Sequence, residues 1–176
     1  RQDRNRLLQA CDQILGAMRE PETGHGAPDL GPDALAKGYG QLRQMFDAQW
    51  GGFGKAPKFP TPHHLTFLLR WHMRHPESGA LDMVDKTLAG MRNGGVFDQV
   101  GLGFHRYSVD ERWLVPHFEK MLYDQAMLAM AYTEAFQVTG NRFHADATRD
   151  IFEYVMRDMQ GSHGGFFSAE DADSEG

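Results

Sequence analysis

Apolar residues recur at helical spacing along most of the chain. Over residues 2–19, Leu7, Leu8, Cys11, Ile14, Leu15 and Met18 fall on one stripe, which predicts an amphipathic helix. Cys11 is expected to be buried in that stripe as a small hydrophobe. The stretch EPETGHGAPDLGP, 20–32, is rich in Pro and Gly and predicts a linker in which His25 is solvated. A second helix is expected from Pro32-Asp33, with Leu35, Tyr39, Leu42 and Phe46 as its stripe and Trp50-Gly51-Gly52-Phe53-Gly54 at its end. Thr61-Pro62 reads as the cap and first position of a third helix running to about His75. The turn HPESG, 75–79, leads into a fourth helix over about 80–92 through Leu81, Val84, Leu88 and Met91.

A different pattern follows. GGVFDQVGLGFHRYSVDERWLVPHFEKMLYDQAM, residues 94–127, is a loop crowded with aromatic and charged residues. It is expected to enter a helix over about 117–138 that is apolar almost all round and hence buried on most sides. After the turn TGN, a helix over 142–160 sets Phe143, Ala147, Ile151, Phe152, Val155 and Met159 against a charged face, so it is half exposed. Helix ends marked by Gly-Gly and an apolar residue occur three times, at Gly51-Gly52-Phe53, Gly94-Gly95-Val96 and Gly164-Gly165-Phe166. Long glycine-containing loops alternate with short turns, and helices joined by such turns run antiparallel. The long loops therefore gather at one end. Buried and amphipathic helices in alternation predict an all-α fold, an α/α toroid with its loops at one mouth.

Charge and cysteine content narrow the partners. The net charge is −6 with no basic stripe, which argues against nucleic acid and anionic membrane surfaces. A single cysteine excludes an intrachain disulfide, a CxxC pair and a Cys-based zinc site, and fits a reducing, cytoplasmic location. No apolar run reaches the roughly 18–20 residues of a membrane helix. His63, His64, His72 and His75 raise a metal site, but no HExxH-like ligand pattern is present, and no metal or cofactor is expected. Both ends read as cut from a longer protein.

GGFGKAPKFP, the segment from Gly94 to Asp124 and GGFFSAEDADSEG together closely resemble the YyaL-type, spermatogenesis-associated-protein-twenty-like family. The likeness covers about 35–176. It implies a thioredoxin-like domain, absent here, joined to an (α/α)6 toroid similar to six-hairpin glycosidases and N-acylglucosamine 2-epimerases. On that reading residues 1–32 are a junction helix and linker, and 33–176 are about the first three hairpins of the toroid. The thioredoxin-like domain of the same parent protein becomes an expected partner. A half toroid exposes the flanks of its inner helices, so the segment is expected to self-associate or to be marginally stable.

Sugar sites combine flat aromatics with carboxylate, Arg and His groups that bond hydroxyls. The candidates for chemistry are His105, His117, Glu119 and Asp98, and those for substrate binding are Arg106, Tyr107, Trp113, Tyr123, Glu170 and Asp171. Epimerisation or isomerisation needs a base, which His105 or His117 supplies; glycoside hydrolysis needs two flanking carboxyls. Several candidates have a structural alternative. Glu119 could complement the N-terminus of the inner helix, with Tyr123 one turn on. Asp98 could cap a turn, Trp113 could be a lid on the core, and Lys120 could pair with Asp124 at i,i+4. Asp110-Glu111-Arg112 reads as a solvated turn. The Glu170-Asp171-Ala172-Asp173 run, which lacks an EF-hand pattern, could be plain loop acidity. The functional alternatives are a sugar epimerase/isomerase or glycosidase, a non-catalytic glycan- or protein-binding module, and a scaffold.

Overall fold

The computed structural model describes residues 2–19, 31 and 33–173. Its helices are α1 (Gln2–Arg19), α2 (Asp33–Met45), α3 (Pro62–Arg74), α4 (Ala80–Asn93), α5 (Leu122–Thr139) and α6 (Arg142–Tyr154). A 3-10 turn, Pro76–Ser78, precedes α4, and a π-helical turn, Val155–Met159, continues α6. Four two-residue strands lie in the long segments: β1 (Tyr107–Ser108), β2 (Pro116–His117), β3 (Lys120–Met121) and β4 (Ala169–Glu170). No helix among the described residues is long and apolar enough to cross a membrane.

The chain divides into two compact units, residues 1–36 and 37–176. In the first, α1 has the expected periodicity, but its stripe lies open: Leu7, Leu8, Ile14 and Leu15 are exposed. Cys11 shares that open stripe and is an exposed free thiol, which corrects the expectation of burial. His25 and all of the 20–32 stretch except Gly31 fall outside the described residues.

In the second unit α3 and α5 pack side by side, α4 packs on α3, and α6 packs on α5. This is the alternation of inner and outer helices that the sequence predicts. Leu65, Leu68 and Leu69 of α3 meet Leu128, Ala131, Tyr132 and Ala135 of α5, and Val84, Leu88 and Met91 of α4 close the layer. Each buried Leu contributes roughly 1.5–3 kcal/mol. The Tyr132 hydroxyl donates to Leu88 O at 2.8 Å, so this polar tip deep in the layer is satisfied. The turn between α5 and α6 is built by two residues. Gly140, at φ 68°, stops α5 in the left-handed conformation, and the Asn141 side chain accepts from Phe143 N to cap α6.

Three local expectations are corrected. Thr61 precedes α3 but sits at φ 42° and makes no side-chain cap. Phe152 of the α6 stripe is exposed. The inner helix begins at Leu122, not near 117, because residues 116–121 are taken up by strand pairing. Glu119 is therefore not in a helical first turn, and Tyr123 does not lie one helical turn beyond it.

The loop segments are laced to one another. Lys58 and Ser108 exchange both backbone hydrogen bonds, at 2.7 and 2.9 Å, joining the 46–61 segment to the 94–121 segment. Strand β3 pairs antiparallel with β4, Lys120 opposite Glu170, joining the latter to the 160–173 segment. The long loops thus share one end of this unit.

Candidate functional site at the loop end

Two of these loops repeat one device. FDAQWGGF, 46–53, and FDQVGLGF, 97–104, share the form F-D-x-x-x-x-G-F, and in each the two Phe residues bridge antiparallel. Asp47 Oδ1 accepts from Gln49 N and Trp50 N; Asp98 Oδ1 accepts from Val100 N and Gly101 N. The second carboxylate oxygen takes a lysine: Lys58 Nζ donates to Asp47 Oδ2 at 2.6 Å, and Lys120 Nζ to Asp98 Oδ2 at 2.8 Å. Each ammonium also donates to the turn's own carbonyl, Gly51 O or Leu102 O. Each lies over an aromatic ring, Trp113 at 5.2 Å and Tyr154 at 4.3 Å. The glycine before the second Phe explains the close fit. Gly52 (φ 81°) and Gly103 (φ 74°) have left-handed backbones, and a Cβ on either would strike Trp113 or Tyr154.

This places Asp98 and Lys120 plainly. Burial opposes ionisation of Asp98, but the Lys120 ammonium and the Gly101 and Val100 amides outweigh it and hold the carboxyl at about 2. Asp98 caps a turn and anchors Lys120, which displaces the expected Lys120–Asp124 pair. The Gly-Gly repeat is corrected as well: the counterpart of Gly51-Gly52-Phe53 is Leu102-Gly103-Phe104. Gly94 and Gly95 instead let the chain pass against Trp113 and Leu114.

Residues 105–119, between the second Phe and its lysine, form a β-hairpin with Tyr107 opposite His117. Asp110 closes its tip by accepting from Arg112 N, Leu114 N and Val115 N at 2.6, 3.2 and 2.6 Å, so the Asp110-Glu111-Arg112 turn is a built one. Beyond it Trp113, at φ 65°, swings into the core. Its ring is 0% exposed and its Nε1 donates to Trp50 O at 3.0 Å. Trp113 is a plug between loops rather than a wall for substrate.

The remaining candidates form two adjoining clusters. In the first, Arg106 Nη1 donates to Glu119 Oε2 at 2.6 Å, and His117 Nε2 lies 3.8 Å from the same oxygen. Tyr107 stacks on the His117 ring at 4.8 Å and 12°. Tyr123 is exposed beside Arg106. Under this cluster lies Asp124, 6% exposed, its Oδ2 unpartnered among the described residues. Burial, with the Glu119 charge adding and Arg106 opposing, lifts its carboxyl to about 6.

In the second cluster, Asp98, His105, Phe118, Lys120, Glu170 and Asp171, with Ala172 and Asp173, line an open pocket of about 570 Å³. His105 is 6% exposed, its Nδ1 has no partner among the described residues, and its ring meets Phe118 edge-on at 5.2 Å. Burial, helped by the Lys120 charge, lowers it to about 4, so the imidazole is neutral at pH 7. Glu170 Oε2 accepts from the Tyr154 hydroxyl at 2.6 Å, and its partner strand β3 begins with Lys120. Gln125, 0% exposed, grips both backbone groups of Phe104 and so fixes His105. Gln125 and the Asp–Lys pairing were not among the sequence candidates, and Asp124 was read there only as a partner for Lys120; the repeated F-D-x-x-x-x-G-F string is the signal that marks the pairing. Among the described residues no group of three His, Cys, Asp or Glu side chains is placed to hold a metal ion, the α3 histidines included.

The chain aligns with human spermatogenesis-associated protein 20 at 46% identity over 182 residues, covering 99% of the chain. It is homologous to a segment of that family. The mouse protein is 51% identical over 180 residues, 98% of the chain. The chain spans only 23% of either relative's length. The likeness therefore reaches further toward the N-terminus than the 35–176 motifs alone indicate. No protein-family model matches the chain.

Among solved structures, cellobiose 2-epimerase from Bacillus thermoamylovorans superposes with TM-score 0.67 at 16% identity, over 80% of this chain and 40% of that one. The cellobiose 2-epimerase of Spirochaeta thermophila gives 0.65 at 18%, over 82% and 42%. A D-mannose isomerase gives 0.54 at 19%, over 69% and 30%. At such identities the likeness speaks to the fold, which is a partial (α/α)6 toroid.

Proposed function

We propose that this segment supplies part of the sugar site of a toroid that epimerises or isomerises an aldose. The observation that carries the reading is the pair of imidazoles, His105 and His117, held by one hairpin at the loop end. On this reading one imidazole removes the proton from the carbon beside the carbonyl of the open-chain sugar. The enediolate then takes a proton back at that carbon on its other face, or at the neighbouring carbon. Glu119, anchored by Arg106, offsets the charge on His117 when it holds the proton, and Tyr107 restricts the ring's rotation. Phe118 and Tyr123 are exposed aromatics suited to the apolar face of a sugar ring. Glycoside hydrolysis fits less well, because the carboxylates of Asp98, Glu119 and Glu170 are already engaged by Lys120, Arg106 and Tyr154. Those exposed aromatics also support a second reading, glycan binding without turnover.

Loss of the sugar's C2 proton signal in deuterated buffer, followed by NMR with the intact protein, tests the proposal. Exchange catalysed by wild type and lost in His105→Gln and His117→Gln is expected. Sugar binding with no exchange against any aldose would leave the glycan-binding reading in its place.

A further inference from the structure

The charges around the His105 pocket point to the kind of sugar it takes. Lys120 and Asp98 neutralise one another at 2.8 Å. Glu170, Asp171 and Asp173 remain on the rim with no cation paired to them among the described residues. Glu170 gives one oxygen to the Tyr154 hydroxyl, which leaves Oε1 for a ligand. Among the described residues Asp171 accepts only the amide two residues on, Asp173 N, at 3.3 Å. An acidic loop alone would say little. A second and independent observation is that the His105 ring, nine-tenths buried, borders this same space with no partner for Nδ1 among the described residues. An unsatisfied buried imidazole beside open carboxylates is a donor–acceptor set awaiting a polar ligand. Because the ring is neutral at pH 7, it does not offset the three rim carboxylates.

We infer that this pocket takes an amine-bearing sugar, its ammonium on the Glu170–Asp171 rim, and rejects phosphorylated and carboxylated sugars. The inference rests on the sugar-site reading above and adds the substrate's charge to it. Phe118 supplies the apolar wall and His105 a hydroxyl partner, while the rim repels anions.

Calorimetric titration of the intact protein with glucosamine, glucose, glucose 6-phosphate and glucuronate tests it. Glucosamine should bind about tenfold tighter than glucose at low salt, since an ammonium near carboxylates gains roughly one such factor. The two anionic sugars should give no heat. The preference should shrink in Glu170→Gln, which keeps an acceptor for Tyr154, in Asp171→Asn on the exposed rim, and in 0.5 M salt (roughly threefold shorter screening length). Equal binding of glucose and glucosamine, or tighter binding of glucose 6-phosphate, would overturn the charge assignment while leaving the sugar site standing. Failure of all four sugars to bind would remove both.

Discussion

The loops at 46–58 and 97–120 carry the same Asp–Lys device, and their differences separate scaffold from site. In the first, the lysine follows its aspartate by 11 residues; in the second, by 22. The 11 extra residues belong to the 105–119 hairpin, which carries His105, Arg106, Tyr107, His117 and Glu119. Lys58 has three oxygen acceptors, Asp47 Oδ2, Gly51 O and Glu111 O, and is 0% exposed. An ammonium has three donors, so Lys58 is saturated. Lys120 has two acceptors and borders a pocket. A device that recurs where there is no His105-type pocket is structural. Asp98, which its residue type marks as a candidate for catalysis, acts in this comparison as the anchor on which the site hairpin is mounted.

The largest effect should come from breaking the saturated copy. Lys58→Met leaves Asp47 without its cation and three oxygens without a donor, and should cost about 3–5 kcal/mol in urea unfolding. Lys120→Met should cost less, about 2–3 kcal/mol, because fewer acceptors are stranded and the site is partly wet. Equal losses would mean that the count of acceptors does not distinguish the two copies. Next come the glycines. Gly103→Ala adds a collision with Tyr154 to a left-handed backbone and should cost about 2–4 kcal/mol. Gly54→Ala has a similar φ, 83°, but open space around its Cβ, and should cost about 1 kcal/mol. A Gly103→Ala variant no worse than Gly54→Ala would show that the Tyr154 contact relaxes freely.

Much of the scaffold was legible in the sequence, because it depends on local signals. The Pro62 start of α3, the helical stripe of α4, the apolar girth of α5 and the Gly140-Asn141 turn each follow from spacing or from one residue's conformational preference. The site was legible as a cluster but not as a geometry. Pro116-His117-Phe118-Glu119 reads as a helix entry, since Pro at a first position and Glu in a first turn are helix signals. Two pairings, the β1–β2 hairpin and the distant β3–β4 ladder, override that propensity, and nothing within residues 116–121 announces them. Trp113 illustrates the same limit. Its residue type suits a sugar platform, and only the approach of Gly52, Gly90 and Gly94 from other loops shows that it plugs the core.

In both copies the lysine and two backbone amides hold the aspartate below the ordinary carboxylate value against the opposing effect of burial, so each should lose stability in acid. Asp98 is held at about 2 in the folded chain, below its ordinary 3.8. A depressed carboxyl stabilises fully above the unfolded value and loses that contribution as pH falls through the folded one. Asp98 should thus contribute about 2 kcal/mol above pH 4 that disappears on acidification toward pH 2. Asp98→Asn should remove this part of the acid limb in unfolding experiments at stepped pH. An unchanged limb would show that the Lys120 pairing does not persist in solution.

The smallest effect concerns the carboxyl beneath the hairpin, for which the first loop has no counterpart. Asp124 is raised to about 6, so its sign is opposite: the folded chain holds this proton more tightly than the unfolded one, and stability falls as pH rises from about 4 through 6. Asp124→Asn removes the buried charge but introduces an amide that must find partners, so the net gain should be about 1 kcal/mol at pH 7 and none at pH 4. His105 works against it over the overlapping range. Its lowered value of about 4 means that the unfolded chain gains a proton first as pH falls below 6.5, which takes stability away. In the wild type these opposed slopes partly cancel between pH 4 and 6, and a flat profile there carries no information about either group. The double comparison separates them: Asp124→Asn should expose the falling limb of His105 on acidification, and His105→Gln the rising limb of Asp124. If both variants stay as flat as the wild type, neither group is perturbed by its burial, and the electrostatic contrast between the saturated first loop and the open second one loses its support at the site.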